Sequence, residues 1–296
     1  MTSAAGVPAT GEVEVVAPED AAEVVEEVAD AASASQRLLI ALDIDGTVVL
    51  EDESFSPGVV EAVAHAHAAG HEVMLATGRS WEGTRHILEG LALTPEYVVC
   101  SNGAVILKRE GEGYVRFHTE EFDASQVLEL LRDHLPHAHY MVELPDGRRL
   151  YTDDIEDWNL ASAEKVHFTE LSAQPVSRVV VVSQDDNNDD FVELVSRIGL
   201  NEVSYAVGWS AWLDIAPQGI DKATALERVR TWLGIDAASV LVIGDGRNDI
   251  GMLRWAKAAG GRAIAMAQGP EEVLSEATEH TGSVTEGGVS AILRAL

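Results

Sequence analysis

The sequence predicts an α/β fold in which a parallel-sheet core is interrupted by an inserted α+β cap. Three observations predict it. Short continuous apolar runs such as Arg37 to Asp43 and Val240 to Gly244 alternate with segments of helical length, the rhythm of strands buried on both faces between crossover helices. From about residue 105 to 208 that rhythm gives way to short strands at hairpin spacing. Beyond 208 the alternation returns and runs to the C-terminus.

The elements follow in order. Residues 1–35 are rich in Ala, Glu and Val; Pro18 could open a short helix with Val24, Val25 and Val28 on one face, but the composition is that of a mobile acidic tail. Arg37 to Asp43 is the first strand. Ser56 as cap and Pro57 in the first turn start a helix that Gly70 ends. His71 to Thr77, the helix Trp81 to Gly90 and the strand Tyr97 to Ser101 complete the first half of the core, read as residues 36–104. In the inserted block, 105–208, Val105 to Leu107, Tyr114 to His118, His139 to Glu143, Arg149 to Thr152, Ser177 to Val182 and Val203 to Val207 read as strands, with helices at Ala124 to Leu135 and near Phe191 to Ile198. The core resumes over 209–296. Its elements are the strand Trp212 to Ile215, a helix Asp221 to Leu233, the strand Val240 to Gly244, a helix Asp249 to Ala259, a strand near Ala263 to Met266 and two terminal helices.

Charge narrows the function. Fifty acidic residues stand against 20 basic ones, a net charge of −30, which argues against nucleic acid or an anionic membrane as partner. No run reaches the roughly 18 apolar residues of a membrane span. With Cys100 the only cysteine, an internal disulfide is impossible, and a cytoplasmic location is the default expectation.

In an open parallel sheet, ligands sit beyond the carboxyl ends of the strands, as in Rossmann-like folds. Four polar clusters fall at such ends: Asp43-Ile44-Asp45-Gly46-Thr47, Thr77-Gly78-Arg79, the approach to Lys222, and Gly244-Asp245-Gly246-Arg247-Asn248-Asp249. Singly, each also reads as a turn, a cap or a solvated face. Together and in this order they form one signal. A strand-terminal carboxylate such as Asp43 can act as a covalent nucleophile toward phosphorus. Two unit charges about 4 Å apart repel by about 4 kcal/mol at an effective dielectric of 20, so a cation must separate this carboxylate from an anionic substrate. Mg²⁺ suits oxygen ligands of this kind, with Asp43 and Asp245 as the side-chain donors. Lys222, just inside a helix N-terminus, would hold the phosphate and offset the charge of the nucleophile.

These motifs, with Ser101-Asn102-Gly103-Ala104 and Asp214-Ile215-Ala216-Pro217-Gln218-Gly219-Ile220-Asp221-Lys222, resemble the haloacid dehalogenase (HAD) superfamily, specifically the Cof-like phosphatases with a large α/β cap between the second and third motifs. The resemblance implies Asp43 as nucleophile and Asp45 as the acid that protonates the leaving oxygen and then activates water. It adds the Asp45 carbonyl to the metal ligands. It gives Thr77 and the backbone near Ile44 and Gly78 to the phosphoryl oxygens, Asn248 to the phosphate and Asp249 to anchoring Lys222 or metal-bound water, with Arg79 and Asn102 in support. An ordinary Asp is a poor acid at neutral pH, so the role of Asp45 calls for burial or a neighbouring carboxylate. The implied activity is hydrolysis of a small phosphorylated metabolite. A sugar phosphomutase and a catalytically silent binding protein on the same fold are the alternatives. In the inserted block His137, His139, Glu143, Arg148 and Arg149 are candidates for substrate contact, each of which also reads as an ordinary surface or turn residue.

No chemical motif precedes Arg37. Deleting residues 1–35 should therefore leave kcat and the melting temperature nearly unchanged in a comparison of the two purified chains.

Overall fold

The computed structural model describes residues 37–154, 160, 162–183, 203–207 and 212–296. The acidic tail and the helix expected near Phe191 to Ile198 lie outside these residues. In chain order the elements are β1 (Leu39–Leu42), α1 (Val59–Ala68), β2 (Glu72–Leu75), α2 (Trp81–Gly90), β3 (Tyr97–Cys100), β4 (Val105–Glu110), β5 (Gly113–Thr119) and α3 (Ser125–His134). There follow β6 (His139–Glu143), β7 (Arg149–Tyr151), β8 (Ala163–Lys165), β9 (Arg178–Val182), β10 (Val203–Val207) and β11 (Trp212–Pro217). The last are α4 (Lys222–Leu233), β12 (Val240–Gly244), α5 (Ile250–Ala258), β13 (Arg262–Met266), α6 (Glu271–Leu274), β14 (Glu279–Thr281) and α7 (Gly288–Leu293).

The parallel sheet has the order β14-β13-β12-β1-β2. β1 lies inside it, with Leu39 beside Val240 on one flank and Glu72 on the other. Its residues divide between two cores. Ile40 and Leu42 pack with Val63, Leu88 and Val289 on one face, and Leu39 and Ala41 pack with Leu226 and Leu253 on the other. That is why the run is apolar without alternation, since each fully buried aliphatic side chain stabilises the fold by about 1.5–3 kcal/mol.

A second sheet, of six strands, has the order β10-β11-β9-β6-β7-β8 and is antiparallel except where β7 pairs with β8. One face buries Tyr140, Val142, Val179, Val181, Leu213 and Ile215 against Leu128 and Leu131 of α3. Two expectations about sheet membership change here. Trp212 to Ile215 is not a strand of the parallel core, because β11 runs antiparallel between β9 and β10, with Val207 opposite Leu213. An apolar strand by itself does not encode the direction of its neighbours. Val105 to Leu107 and Tyr114 to His118 likewise fall in a separate sheet, β3-β4-β5, which a bridge between Ala76 and Val99 joins to the end of β2.

Local chemistry explains the helix starts. Asp221 caps α4 by accepting the Thr224 N–H at 2.8 Å, and Thr224 Oγ1 accepts the Asp221 N–H at 3.0 Å. Ser56 is not the cap of α1. Its hydroxyl donates to the Val284 carbonyl at 2.7 Å, and the helix instead begins after Gly58 in a left-handed conformation. The strand β14 between the two terminal helices is an element that the sequence reading lacked. Among the described residues no helix is long and apolar enough to cross a membrane.

One turn couples β3 to α4. Ser101, Asn102 and Gly103 all have positive φ, and a Cβ on Gly103 would lie 2.1 Å from the Asp221 carbonyl oxygen. Gly103→Ala should therefore destabilise the chain by about 2 kcal/mol or more, read as a lowered urea midpoint at unchanged slope.

Candidate active site

All strands of the parallel sheet point the same way, so the loops after β1, β2, β12 and β13 meet at one edge. Lys222 enters the same place from the first turn of α4. Its side chain is fully buried, and Nζ donates to Asp43 Oδ1 and to Asp249 Oδ1, each at 2.6 Å. Burial works against an ammonium there, but Asp249 and Asp43 more than offset it and hold the Lys222 pKa above its ordinary value. Asp249 also accepts the N–H groups of Asp245 and Gly246 through Oδ2, both at 2.9 Å. Both of its oxygens are thus engaged in holding Lys222 and the β12 loop in place.

Asp43, Asp245 and Asp249 are buried with ligand oxygens within 4.8 Å of one another. Among the described residues the side-chain donors to Asp245 are neutral, Gln268 Nε2 at 3.1 Å and Thr47 Oγ1 at 3.5 Å. Burial and then the Asp249 charge push its carboxyl up to about 7, against partial relief from Gln268 and Lys222. Asp43 is raised for the same reasons, burial first and then Asp249, with Lys222 pulling the other way. One ammonium among three buried carboxylates leaves an excess of negative charge. Hard oxygen donors with uncompensated charge fit a divalent cation such as Mg²⁺.

Asp45 differs from the expectation. It is not buried: its side chain is 59% exposed, and both oxygens are held by Arg79, Nη2 to Oδ1 at 2.6 Å and Nε to Oδ2 at 3.0 Å. Arg79 Nη1 also reaches Glu53 Oε1 at 2.7 Å. The cause is position, since Asp45 lies beyond the strand end in a turn that faces the Thr77-Gly78-Arg79 loop. Gly46 closes that turn with φ 71°, and a Cβ there would sit 2.1 Å from Asp245 Oδ2.

The remaining predicted residues assemble around this centre. Thr77 is buried, and its Oγ1 accepts the Arg79 N–H at 3.0 Å. The Ile44 side chain lies in the core, which leaves only its main chain to face a ligand. Gly78 lies against Asn102, whose amide would be 3.1 Å from a Cβ. Asn248 Nδ2 donates to Asn102 Oδ1 at 3.1 Å. Of the candidates in the inserted block, Glu143 meets the site's surroundings: Ser101 Oγ donates to its Oε2 at 3.0 Å, and Arg116 pairs with its other oxygen. Arg149 is buried and donates to Ser162 Oγ at 3.3 Å. Arg148 pairs with Asp146 in an exposed turn, His137 is exposed and His139 is half-buried.

Sequence reasoning missed Gln268, Arg178 and the role of Asp214. Gln268 ties Asp245 and the Gly46 carbonyl to the Val284 N–H, which its Oε1 accepts at 3.1 Å. Its signal was its place just past the end of β13. Asp214 lies in a stretch already singled out, but nothing local shows that it reaches Asn102.

Known proteins resemble this chain in sequence and fold. A family model described as haloacid dehalogenase-like hydrolase matches residues 40–293. A Bacillus subtilis phosphatase, YwpJ, is 26% identical over 292 residues, covering 87% of this chain and 99% of that protein. The Escherichia coli pyridoxal phosphate phosphatase YbhA is 26% identical over 271 residues, covering 86% and 97%. A solved HAD-superfamily phosphatase from Bacteroides thetaiotaomicron superposes with a TM-score of 0.69 at 21% identity, covering 89% and 96% of the two chains. With a family model spanning both halves of the parallel core and its four loops in place at one sheet edge, the chain belongs to the haloacid dehalogenase-like hydrolases.

Proposed function

We propose that the chain is a Mg²⁺-dependent phosphatase that hydrolyses a small phosphorylated metabolite, a sugar phosphate or similar, through an aspartyl-phosphate on Asp43. The observation that carries this reading is the buried Asp43 carboxylate held 2.6 Å from Lys222 at the carboxyl edge of the sheet, beside Asp245. The names of similar proteins, a pyridoxal phosphate phosphatase and a sugar phosphatase among them, support the substrate class.

Asp43, Asp245 and the Asp45 carbonyl would hold the metal, which when bound neutralises charge between the nucleophile and the phosphate. An Asp43 oxygen attacks phosphorus as the bond to the ester oxygen breaks, and that oxygen takes a proton from Asp45. Water then attacks phosphorus and passes a proton to the Asp45 carboxylate. The bond to Asp43 breaks, which releases inorganic phosphate. Lys222 balances Asp43 throughout, while Thr77, Asn248 and main-chain N–H groups near Ile44 and Gly78 donate to the phosphoryl oxygens. Arg79 holds both Asp45 oxygens, and a guanidinium favours the charged form of a carboxylate, so loosening that pair would ease the proton exchange.

A screen of phosphorylated metabolites, reading phosphate release with Mg²⁺ and with chelator, tests the reading. Isomerised sugar phosphate without free phosphate would instead identify a mutase. Asp43→Asn should reduce kcat by roughly 10⁴-fold or more with an unchanged circular dichroism spectrum. Substantial residual turnover in that variant would rule the mechanism out.

Stability should report the metal separately from activity. The Asp245 carboxyl rises from 3.8 to about 7 on folding, and Asp43 rises too. Folding thus favours their protonated forms, and the Asp245 contribution is complete below about pH 4 and lost as pH rises through about 7. The cation needs the carboxylates. The gain in melting temperature on adding Mg²⁺ to chelator-treated protein should therefore be larger at pH 8 than at pH 5, and Asp245→Asn should shrink the difference. An equal gain at both pH values would exclude these ligands.

A further inference from the structure

A continuous hydrogen-bonded path leads from the six-stranded sheet into the phosphate loop. Arg178 on β9 donates to Asp214 on β11 twice, Nε to Oδ1 at 2.8 Å and Nη2 to Oδ2 at 2.7 Å. Asp214 Oδ2 also accepts Asn102 Nδ2 at 2.9 Å, and Asn102 Oδ1 accepts Asn248 Nδ2 at 3.1 Å. Arg178, Asp214 and Asn102 are 5%, 7% and 9% exposed, so water does not substitute freely for any partner.

The direction of this path is dictated by chemistry. A carboxylate accepts and cannot donate. The group that Asn102 turns toward Asp214 must therefore be its NH₂, which places its oxygen at the other end. Only a donor fits against that oxygen, so Asn248 must present its NH₂ there. The Asn248 oxygen is turned toward Gly246, where a Cβ would lie 2.6 Å away. An amide NH₂ has two protons, and Asn102 takes one.

We propose that Arg178, Asp214 and Asn102 are positioning residues that fix which way the Asn248 amide faces, so that its second N–H is offered to the phosphoryl group and its oxygen is kept from it. The proposal rests on the reading of Asn248 as a phosphoryl contact. It makes correct seating of the six-stranded sheet a condition for a complete phosphate site. Without Asp214 the Asn102 amide can turn over, Asn248 can follow, and an oxygen then meets the anion.

The test uses the full chain with Mg²⁺, p-nitrophenyl phosphate as substrate and inorganic phosphate as inhibitor. Replacing the buried ion pair by apolar residues, Arg178→Met with Asp214→Leu, keeps the volume filled and is expected to preserve folding. Asn102→Gly removes the amide while accepting the left-handed φ of 50°. Each change should lower kcat/KM by about 10- to 100-fold and weaken inhibition by phosphate. In an Asn248→Ala background neither change should cost anything further, because the path ends at that amide. Costs that multiply would show that these residues act elsewhere and would overturn the proposal. If the ion-pair variant fails to fold, Asn102→Gly carries the same comparison. If Asn248→Ala alone changes neither kcat/KM nor phosphate inhibition, the phosphoryl-contact reading fails. The path itself is then judged on the ¹⁵N side-chain amide signals of Asn248, which should shift in Asn102→Gly; unmoved signals would refute it.

Discussion

A single buried ammonium organises this protein. Lys222 Nζ lies between Asp43 and Asp249 with both distances at 2.6 Å and no exposed side-chain surface. A charge in that position is tolerable only if its partners are fixed, since losing one partner of a buried pair typically costs about 3–5 kcal/mol. Each partner is fixed by a different part of the fold. Asp43 is held by the end of β1, whose N–H donates to the Ile243 carbonyl at 3.0 Å. Asp249 is held by the two N–H groups of the β12 loop that it caps. Lys222 is held by the capped start of α4, against which the Gly103 turn packs without a Cβ. The parallel sheet brings these three pieces together by pointing its strands the same way.

The same centre is incomplete electrostatically. Asp245 stands beside the Lys222 cluster with neutral side-chain donors, and its carboxyl reaches about 7. The fold thus maintains a pocket of concentrated negative charge that becomes comfortable when the carboxylates are protonated or shared with a cation. This also bears on the puzzle of an enzyme with a net charge of −30 in a family of phosphate chemistry. At the proposed phosphate site the positive groups among the described residues are few and tightly placed: Lys222, Arg79 and main-chain N–H groups. Arg79 is committed in the structure to Asp45 and Glu53, so the loop after β2 contacts a carboxylate of the loop after β1 directly.

The six-stranded sheet contributes in a different way. Its far face is an ordinary apolar core under α3. The face carrying Glu143, Arg178 and Asp214 is polar where it meets the turn after β3, with Glu143 on Ser101 and Asp214 on Asn102. Buried ionic contacts of this type add little net stability, and here they join the sheet to the turn through directional hydrogen bonds. A sheet seated on such contacts is positioned by geometry that an apolar interface would not impose.

How much of this was legible in the sequence follows from the range of the interactions. β1 and α2 were readable because a strand buried on both faces must be apolar throughout and a helix must close its ends, and β6 because its apolar residues cluster in a short run, conditions that act within a few residues. The residues brought together at the Lys222 centre were readable because their clusters fall in order along the chain at strand ends and helix starts, where an open parallel sheet gathers its loops. The partnering of β11 with β9 and β10, the capture of Asp45 by Arg79, the bracing of Asp245 by Gln268 and the path from Arg178 to Asn248 were not. Each depends on which distant residue arrives opposite a given side chain: Asn102 meets Asp214 across 112 positions and Asn248 across 146. The sequence by itself determined the elements and the list of reactive groups, because those are set by local propensity and side-chain type. Only the tertiary structure decided which of those groups are paired and which are left charged and waiting, because pairing and desolvation are properties of contacts that do not exist until the chain has folded.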